Sequence, residues 1–112
     1  MDKSEYYREP LVAGQYEAVR FATPAGRLTH EIELAALKEL FRRDEKLLEL
    51  ACGTGRLLRA LRQDGWTVSG VDQSPAMLAA GFPDKPVDVF VGDVFKLPFP
   101  DESFDGAYHF RF

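Results

Sequence analysis

The chain has 112 residues, enough for one small domain, with 46% apolar and 29% charged residues, the balance of a globular protein with a core. Its formal net charge of −4 speaks against a nucleic-acid backbone as the main partner, since such binding depends on basic patches. No apolar run approaches the roughly 20 residues that span a bilayer. Met1–Glu9 has no signal-peptide hydrophobic core, and the one cysteine, Cys52, permits neither an internal disulfide nor a Cys/His zinc cluster, so a reduced, cytoplasmic protein without a membrane partner is expected.

Residues 1–22 mix tyrosines with charges, and their pattern fixes no element. Thr23-Pro24 then has the form of a helix opening, a hydroxyl cap with proline in the first turn; Thr29 is an alternative start. Leu28, Ile32, Ala35, Ala36, Leu40 and Phe41 recur at helical spacing, with Glu31, Glu33, Lys38, Glu39 and Arg42 opposite, which predicts an amphipathic helix to about Arg43. Asp44-Glu45-Lys46 leads into Leu47–Ala51, an apolar run suited to a parallel strand covered on both faces. Gly53-Thr54-Gly55 turns the chain sharply into a helix with Leu57, Leu58 and Leu61 inward. Arg56, Arg59 and Arg62 are expected on its solvated face, and Gly65 ends it. Residues 66–71 predict a second strand ending at Asp72, and Ser74-Pro75 caps a short helix closed by Gly81. Residues 87–91 predict a third strand running into Gly92-Asp93-Val94. The prolines of Leu97-Pro98-Phe99-Pro100 impose an extended loop, and residues 104–110 predict a fourth strand. Strands alternating with helices indicate a parallel sheet with right-handed crossovers.

Ligands of such sheets bind beyond the carboxyl ends of the strands. Three of those ends carry polar or glycine-rich sequence: Gly53-Thr54-Gly55, Asp72-Gln73 and Gly92-Asp93. The glycines let the backbone pass close to a ligand. Asp72, about 20 residues further on, can accept hydrogen bonds from both hydroxyls of a ribose. Asp93 can accept from an exocyclic amine while the Val94 backbone meets a ring nitrogen. Glu49 lies inside an apolar strand, where an ionised carboxylate needs donors or a cation; it can hold the amino end of a ligand or, at an edge, reach solvent. The set suits an adenosine with a cationic or polar tail. Leu58 stands where a dinucleotide fingerprint has Gly or Ala, and no Lys-Ser/Thr pair follows the glycines as in a phosphate-binding loop. Cys52 has no visible activating neighbour and reads as a packing residue. His30 reads as a surface residue, and His109 as a strand-end histidine rather than a general base, leaving no catalytic residue assigned.

The run Glu49-Leu50-Ala51-Cys52-Gly53-Thr54-Gly55-Arg56, with Val68–Leu78 and Val91–Val94 followed by Leu97–Asp105, resembles in order and spacing the class I S-adenosylmethionine-dependent methyltransferases. The resemblance implies a Rossmann-like α/β sheet of about four strands in the order 3-2-1-4, and S-adenosylmethionine as cofactor. It implies that Gly53 and Gly55 line the methionine side with Glu49 on its amino group. Asp72 falls on the ribose, Gln73 and Met77 near the adenine, and Asp93 with Val94 on the adenine edge. Ala51 and Thr54 complete the cofactor-binding set. Residues 1–43 look like a helical cover and 44–112 like the cofactor-binding half, with Tyr16 or Arg27 near the cofactor. Family members usually continue with three more strands, so the sequence reads as a truncated half. Its aromatic fourth strand is expected to meet another copy or a partner chain. The expected activity is methyl transfer to an unidentified, small-molecule acceptor. The alternatives are a non-catalytic cofactor-binding or assembly module and, on the glycine turn and Asp72 alone, a nicotinamide-dependent enzyme.

Overall fold

The computed structural model describes residues 22–84 and 88–110. The predicted first helix begins as its sequence dictates. Thr23 is the N-cap, its hydroxyl accepting from Gly26 N at 3.0 Å, and α1 runs Pro24–Leu40. It stops about three residues earlier than expected. Phe41 is extended, and the Glu45 carboxylate accepts from Arg42 N at 2.7 Å, closing a turn before the first strand.

That strand, β1, is Lys46–Leu50. After the glycine turn, α2 spans Arg56–Gln63. Its end follows the expected chemistry: Gly65 takes φ 85°, Gly65 N donates to Arg62 O and Trp66 N donates to Leu61 O, both at 3.0 Å. These are the two bonds of a Schellman closure. Strand β2 is Thr67–Asp72, and α3 is Pro75–Gly81, capped by the Ser74 hydroxyl, which accepts from Met77 N. Strands β3, Val89–Val91, and β4, Gly106–Tyr108, are three residues each, shorter than the sequence pattern suggests.

The four strands form one parallel sheet in the order β3-β2-β1-β4. This is the Rossmann-like arrangement expected. Central β1 and β2 carry the core with the leucines of α2: Leu47, Leu58, Leu61, Val68 and Val71 are all but fully buried. Asp105 fixes the start of β4, its backbone N donating to Lys46 O and its carboxylate accepting from Lys46 N, each at 2.7 Å. The proline loop folds back between β3 and β4, with the Phe99 ring edge-on to both Phe90 and Phe104 at 5.0 Å.

Two sequence expectations about faces are corrected. Helix α1 buries Gly26, Glu33 and Leu37, while Leu28, Ile32 and Leu40 are exposed. An ion pair from Glu33 to Arg56 turns the helix by the polar residue the periodicity placed outside. The arginines of α2 are likewise not a solvated row. Arg56 pairs with Glu33, Arg59 donates to Thr54 O, and Arg62 donates to Val68 O at 2.7 Å and pairs with Asp88. Each guanidinium ties α2 to a neighbouring segment, and the aliphatic stems allow this from a half-buried face. Among the described residues no helix is long and apolar enough to cross a membrane, and no group of His, Cys, Asp and Glu could hold a metal ion.

Candidate functional site: the carboxyl edge of the sheet

The turn after β1 is built from left-handed backbone. Ala51 has φ 53°, Gly53 59° and Gly55 74°. Gly55 also has no room for a side chain: a Cβ there would lie 2.0 Å from Phe82 Cζ. A Cβ on Gly53 would lie 3.2 Å from Met77 Cε, so buried Met77 is the floor of the turn. Gly81, at the end of α3, presses on the same loop, since a Cβ there would meet Thr54 O at 1.8 Å.

Asp72 joins the strand tips. One carboxylate oxygen accepts from Gly53 N and the other from Ser74 N, both at 2.8 Å. Its own carbonyl accepts from Gly92 N at 2.9 Å, and Cys52 N donates to Val71 O. The ends of β1, β2 and β3 are therefore stitched into one edge. Burial raises the Asp72 carboxyl above the ordinary range, against the two N–H donors. Each of its oxygens retains a lone pair for a ligand hydroxyl.

A cleft of about 60 Å³ opens beside the turn, lined by Glu49, Leu50, Ala51, Cys52, Gly53, Thr54, Arg56, Leu57 and Phe110. Glu49 is buried, and Tyr108, its register partner on β4, donates its hydroxyl to Oε1 at 2.7 Å. Burial pushes the Glu49 carboxyl up to about 7; Glu33 and Asp72 add to this, while Tyr108 and the Arg56 charge oppose it. Burial and the Glu49 charge hold the Tyr108 phenol well above the ordinary tyrosine range, so it remains a donor. Arg56 faces the same cleft, paired with Glu33 and 2.8 Å from His30 Nδ1. Burial pushes the Cys52 thiol up as well, which removes it as a nucleophile and leaves the packing role expected of it.

Of the sequence-predicted residues, Glu49, Ala51, Gly53 and Thr54 line the cleft. Gly55 opens α2 over the Phe82 ring. Asp72 and Gln73 stand at the next strand end, with Gln73 exposed. Asp93 and Val94 follow β3, where Asp93 Oδ1 accepts from Phe95 N at 2.9 Å, the turn bond that a strand-end aspartate also makes without a ligand. Arg27 is exposed and its guanidinium folds back onto Ala22 O, away from the cleft-lining set. Tyr16 lies outside the described residues. Periodicity missed Arg56, Tyr108 and Phe110. The signal for Tyr108 was present: a carboxylate inside an apolar strand demands a donor on a neighbouring strand.

The sequence profile described as a methyltransferase domain matches residues 48–112, more than half the chain. The chain belongs to this family. The demethylmenaquinone methyltransferase of Beutenbergia cavernae is 37% identical to this methyltransferase domain, over 96% of the chain and 48% of the relative. A SAM-dependent methyltransferase from Thermotoga maritima superposes with a TM-score of 0.67 at 28% identity, over 93% of this chain and 44% of that one. The structure of a Haloferax volcanii Trm112 methyltransferase activator with its putative methyltransferase gives a TM-score of 0.68 over 96% of this chain and 46% of that one. At 23% identity it shows the fold alone. The methyltransferase domain thus spans about half the length of the curated relatives it matches.

Proposed function

We propose that the chain binds S-adenosylmethionine along the carboxyl edge of its sheet and serves methyl transfer to an acceptor. The observation that carries this is Asp72, whose carboxylate holds the glycine turn to the end of β2, beside the tip of β3. A side chain at Gly53 or Gly55 would fill the cradle, and Glu49 presents an acid where the cofactor's cationic ammonium needs an acceptor. These residues fit the group. Bound S-adenosylmethionine supplies an electrophilic sulfonium methyl, which an acceptor O, N, S or C displaces in line, leaving S-adenosylhomocysteine. Glu49 and the backbone of the turn hold the methionine end. Asp72 accepts from the ribose, while Met77, Gln73, Asp93 and Val94 bound the adenine. Of the expected cover, 1–43, the described part, 22–43, lies over the cofactor half, 44–112, and residues 1–21 lie outside the described residues. In support, Glu33 and His30 of α1 both reach Arg56 in the cleft. With a good leaving group in place, the protein's contribution is position and exclusion of water.

Calorimetric titration of the purified chain with S-adenosylhomocysteine tests the binding claim. Saturable heat, lost in Asp72→Ala and reduced in Gly53→Val, is expected; folded protein that takes up no ligand contradicts it. Transfer of label from methyl-labelled S-adenosylmethionine tests the activity. A demethylmenaquinone analogue, after the name of the Beutenbergia relative, is the first acceptor to offer. A second reading, a cofactor-binding module completed by a partner chain, rests on β4, which pairs with β1 alone among the described strands. It predicts cofactor binding without transfer by the chain alone, and transfer by the chain alone rejects it.

A further inference from the structure

The contact between β1 and β4 ties Glu49, which lines the cleft, to a buried tyrosine that does not. Glu49 and Tyr108 are direct register partners in the parallel pair, and both are buried. The phenol donates to Oε1 at 2.7 Å, and among the described residues no donor meets Oε2. The Tyr108 ring is itself held, 6.2 Å from Phe41 and 6.4 Å from Phe110 between ring centroids. A pinned phenol of this kind fixes one carboxylate oxygen and leaves the other for the cleft.

We propose that Tyr108 is a positioning residue for the cofactor's amino end: its hydroxyl holds Glu49 as an acceptor, so that capture of a cationic ammonium is coupled to loss of the Glu49 proton. The inference rests on the cofactor reading above. Before a ligand binds, at mildly acidic pH, Glu49 carries a proton because burial disfavours its anion, and its carboxyl sits at about 7. An arriving ammonium gains less from a neutral carboxylic acid, which accepts its hydrogen bond without the opposite charge, than from the carboxylate. It binds as Glu49 ionises, and the proton leaves to solvent. Tyr108 assists by donating to the anion, the direction in which its hydrogen bond shifts Glu49.

The other charges facing Glu49 come from each element packed around it. Arg56 of α2 favours its anion, while Glu33 of α1 and Asp72 at the end of β2 oppose it. His30 of α1 lies against Arg56, its Nδ1 2.8 Å from the guanidinium. Cys52, whose thiol burial keeps protonated, adds none. Deleting the Tyr108 hydroxyl leaves every formal charge in this set in place and removes the one hydrogen-bond donor on Glu49 among the described residues. That makes Tyr108→Phe the diagnostic change: it keeps the ring and deletes the donor.

The first measurement needs no ligand. The side-chain carboxyl of Glu49 is titrated by carbon-13 NMR in the wild type and in Tyr108→Phe, with Glu49→Gln assigning the resonance. The midpoint is expected to rise by about one pH unit in Tyr108→Phe, the effect of one lost charge-assisted hydrogen bond. The second is the affinity for S-adenosylhomocysteine from about pH 5.5 to 8.5. Tyr108→Phe is expected to bind roughly tenfold more weakly at the acidic end and nearly as well as wild type at the basic end. The ligand's own amine titrates identically in both proteins and cancels. A packing role alone would weaken binding equally at every pH, and that outcome overturns the proposal, as does an unmoved Glu49 midpoint. If Tyr108→Phe does not fold, proton release on binding decides. Wild type titrated near pH 6.5 in two buffers of different ionisation enthalpy should release roughly half a proton or more, and Glu49→Gln none. Equal release by both overturns it. Binding with an unmoved Glu49 defeats this inference alone, whereas no binding at any pH defeats the cofactor reading with it.

Discussion

Ala51 is held at φ 53°, a conformation that costs a residue with a side chain about 1–2 kcal/mol and glycine little. Ala51→Gly is therefore expected to stabilise the fold, by about 0.5 kcal/mol once the extra freedom of glycine in the unfolded chain is deducted. A higher urea midpoint checks it, and a lower one would show that the Ala51 methyl packs more usefully than its backbone strains. The turn's bend was legible from Gly53 and Gly55; the strain at Ala51 was not, because an alanine carries no backbone signature. Glu49 acts at the same scale with the opposite sign to a surface carboxylate. Its folded value of about 7 lies above the ordinary 4.5, so its share of stability is fully present below about pH 4.5 and is lost as pH rises through about 7. Asp72 shifts in the same direction for the same cause, burial. The Glu49 contribution amounts to about 3 kcal/mol. Denaturant unfolding should show wild type losing stability between about pH 5 and pH 8 relative to Glu49→Gln, by a sum of that order. Parallel pH profiles for the two proteins would contradict the buried-acid account.

The helices show where local pattern suffices and where it does not. Caps at Thr23 and Ser74 and the closure at Gly65 were legible, because each is settled by chemistry within a few residues. The buried face of α1 was not. Its hydrophobic residues at Leu28 and Ile32 point away from the core, and the decision falls to Glu33, which meets Arg56 some 23 residues later in sequence. No reading of α1 alone contains that partner. The side chains of this pair are only 10% and 12% exposed, so losing one member leaves a poorly solvated charge behind. Glu33→Ala is expected to cost about 3 kcal/mol and to loosen α1 from the glycine turn. Hydrogen exchange should then quicken across α1 while the amides of β2 stay protected. Uniform acceleration over the whole chain would mean that the pair supports the fold globally rather than docking this helix. The arginine row of α2 makes the same point: spacing placed it in solvent, and Thr54 O, Val68 O and Asp88 draw it onto neighbouring segments.

At the scale of the molecule, the order β3-β2-β1-β4 was legible because alternating strands and helices, right-handed crossovers and the family resemblance leave few topologies. The convergence of strand tips followed from that order, and the bonds of Asp72 to Gly53 N and Ser74 N carry it out. Strand lengths were not legible, since a pattern such as the aromatic stretch 104–110 extends beyond the three residues that find a partner in the sheet. Nor was the wall of the cleft, because Arg56 and Phe110 enter it from α2 and from the residues after β4, and Tyr108 of β4 holds the cleft-lining Glu49 from outside that lining. The domain covers about half of its curated relatives, and the edge proposed to hold the cofactor lies within residues 48–112, which match the family profile. That edge is the central claim, and amide chemical-shift mapping with S-adenosylhomocysteine tests it residue by residue. The account predicts shifts confined to Gly53–Gly55, Asp72–Gln73 and Asp93–Val94, with Glu49 and Tyr108 moving beside them. Shifts centred on the outer face of α1, or none at saturating ligand, would contradict it.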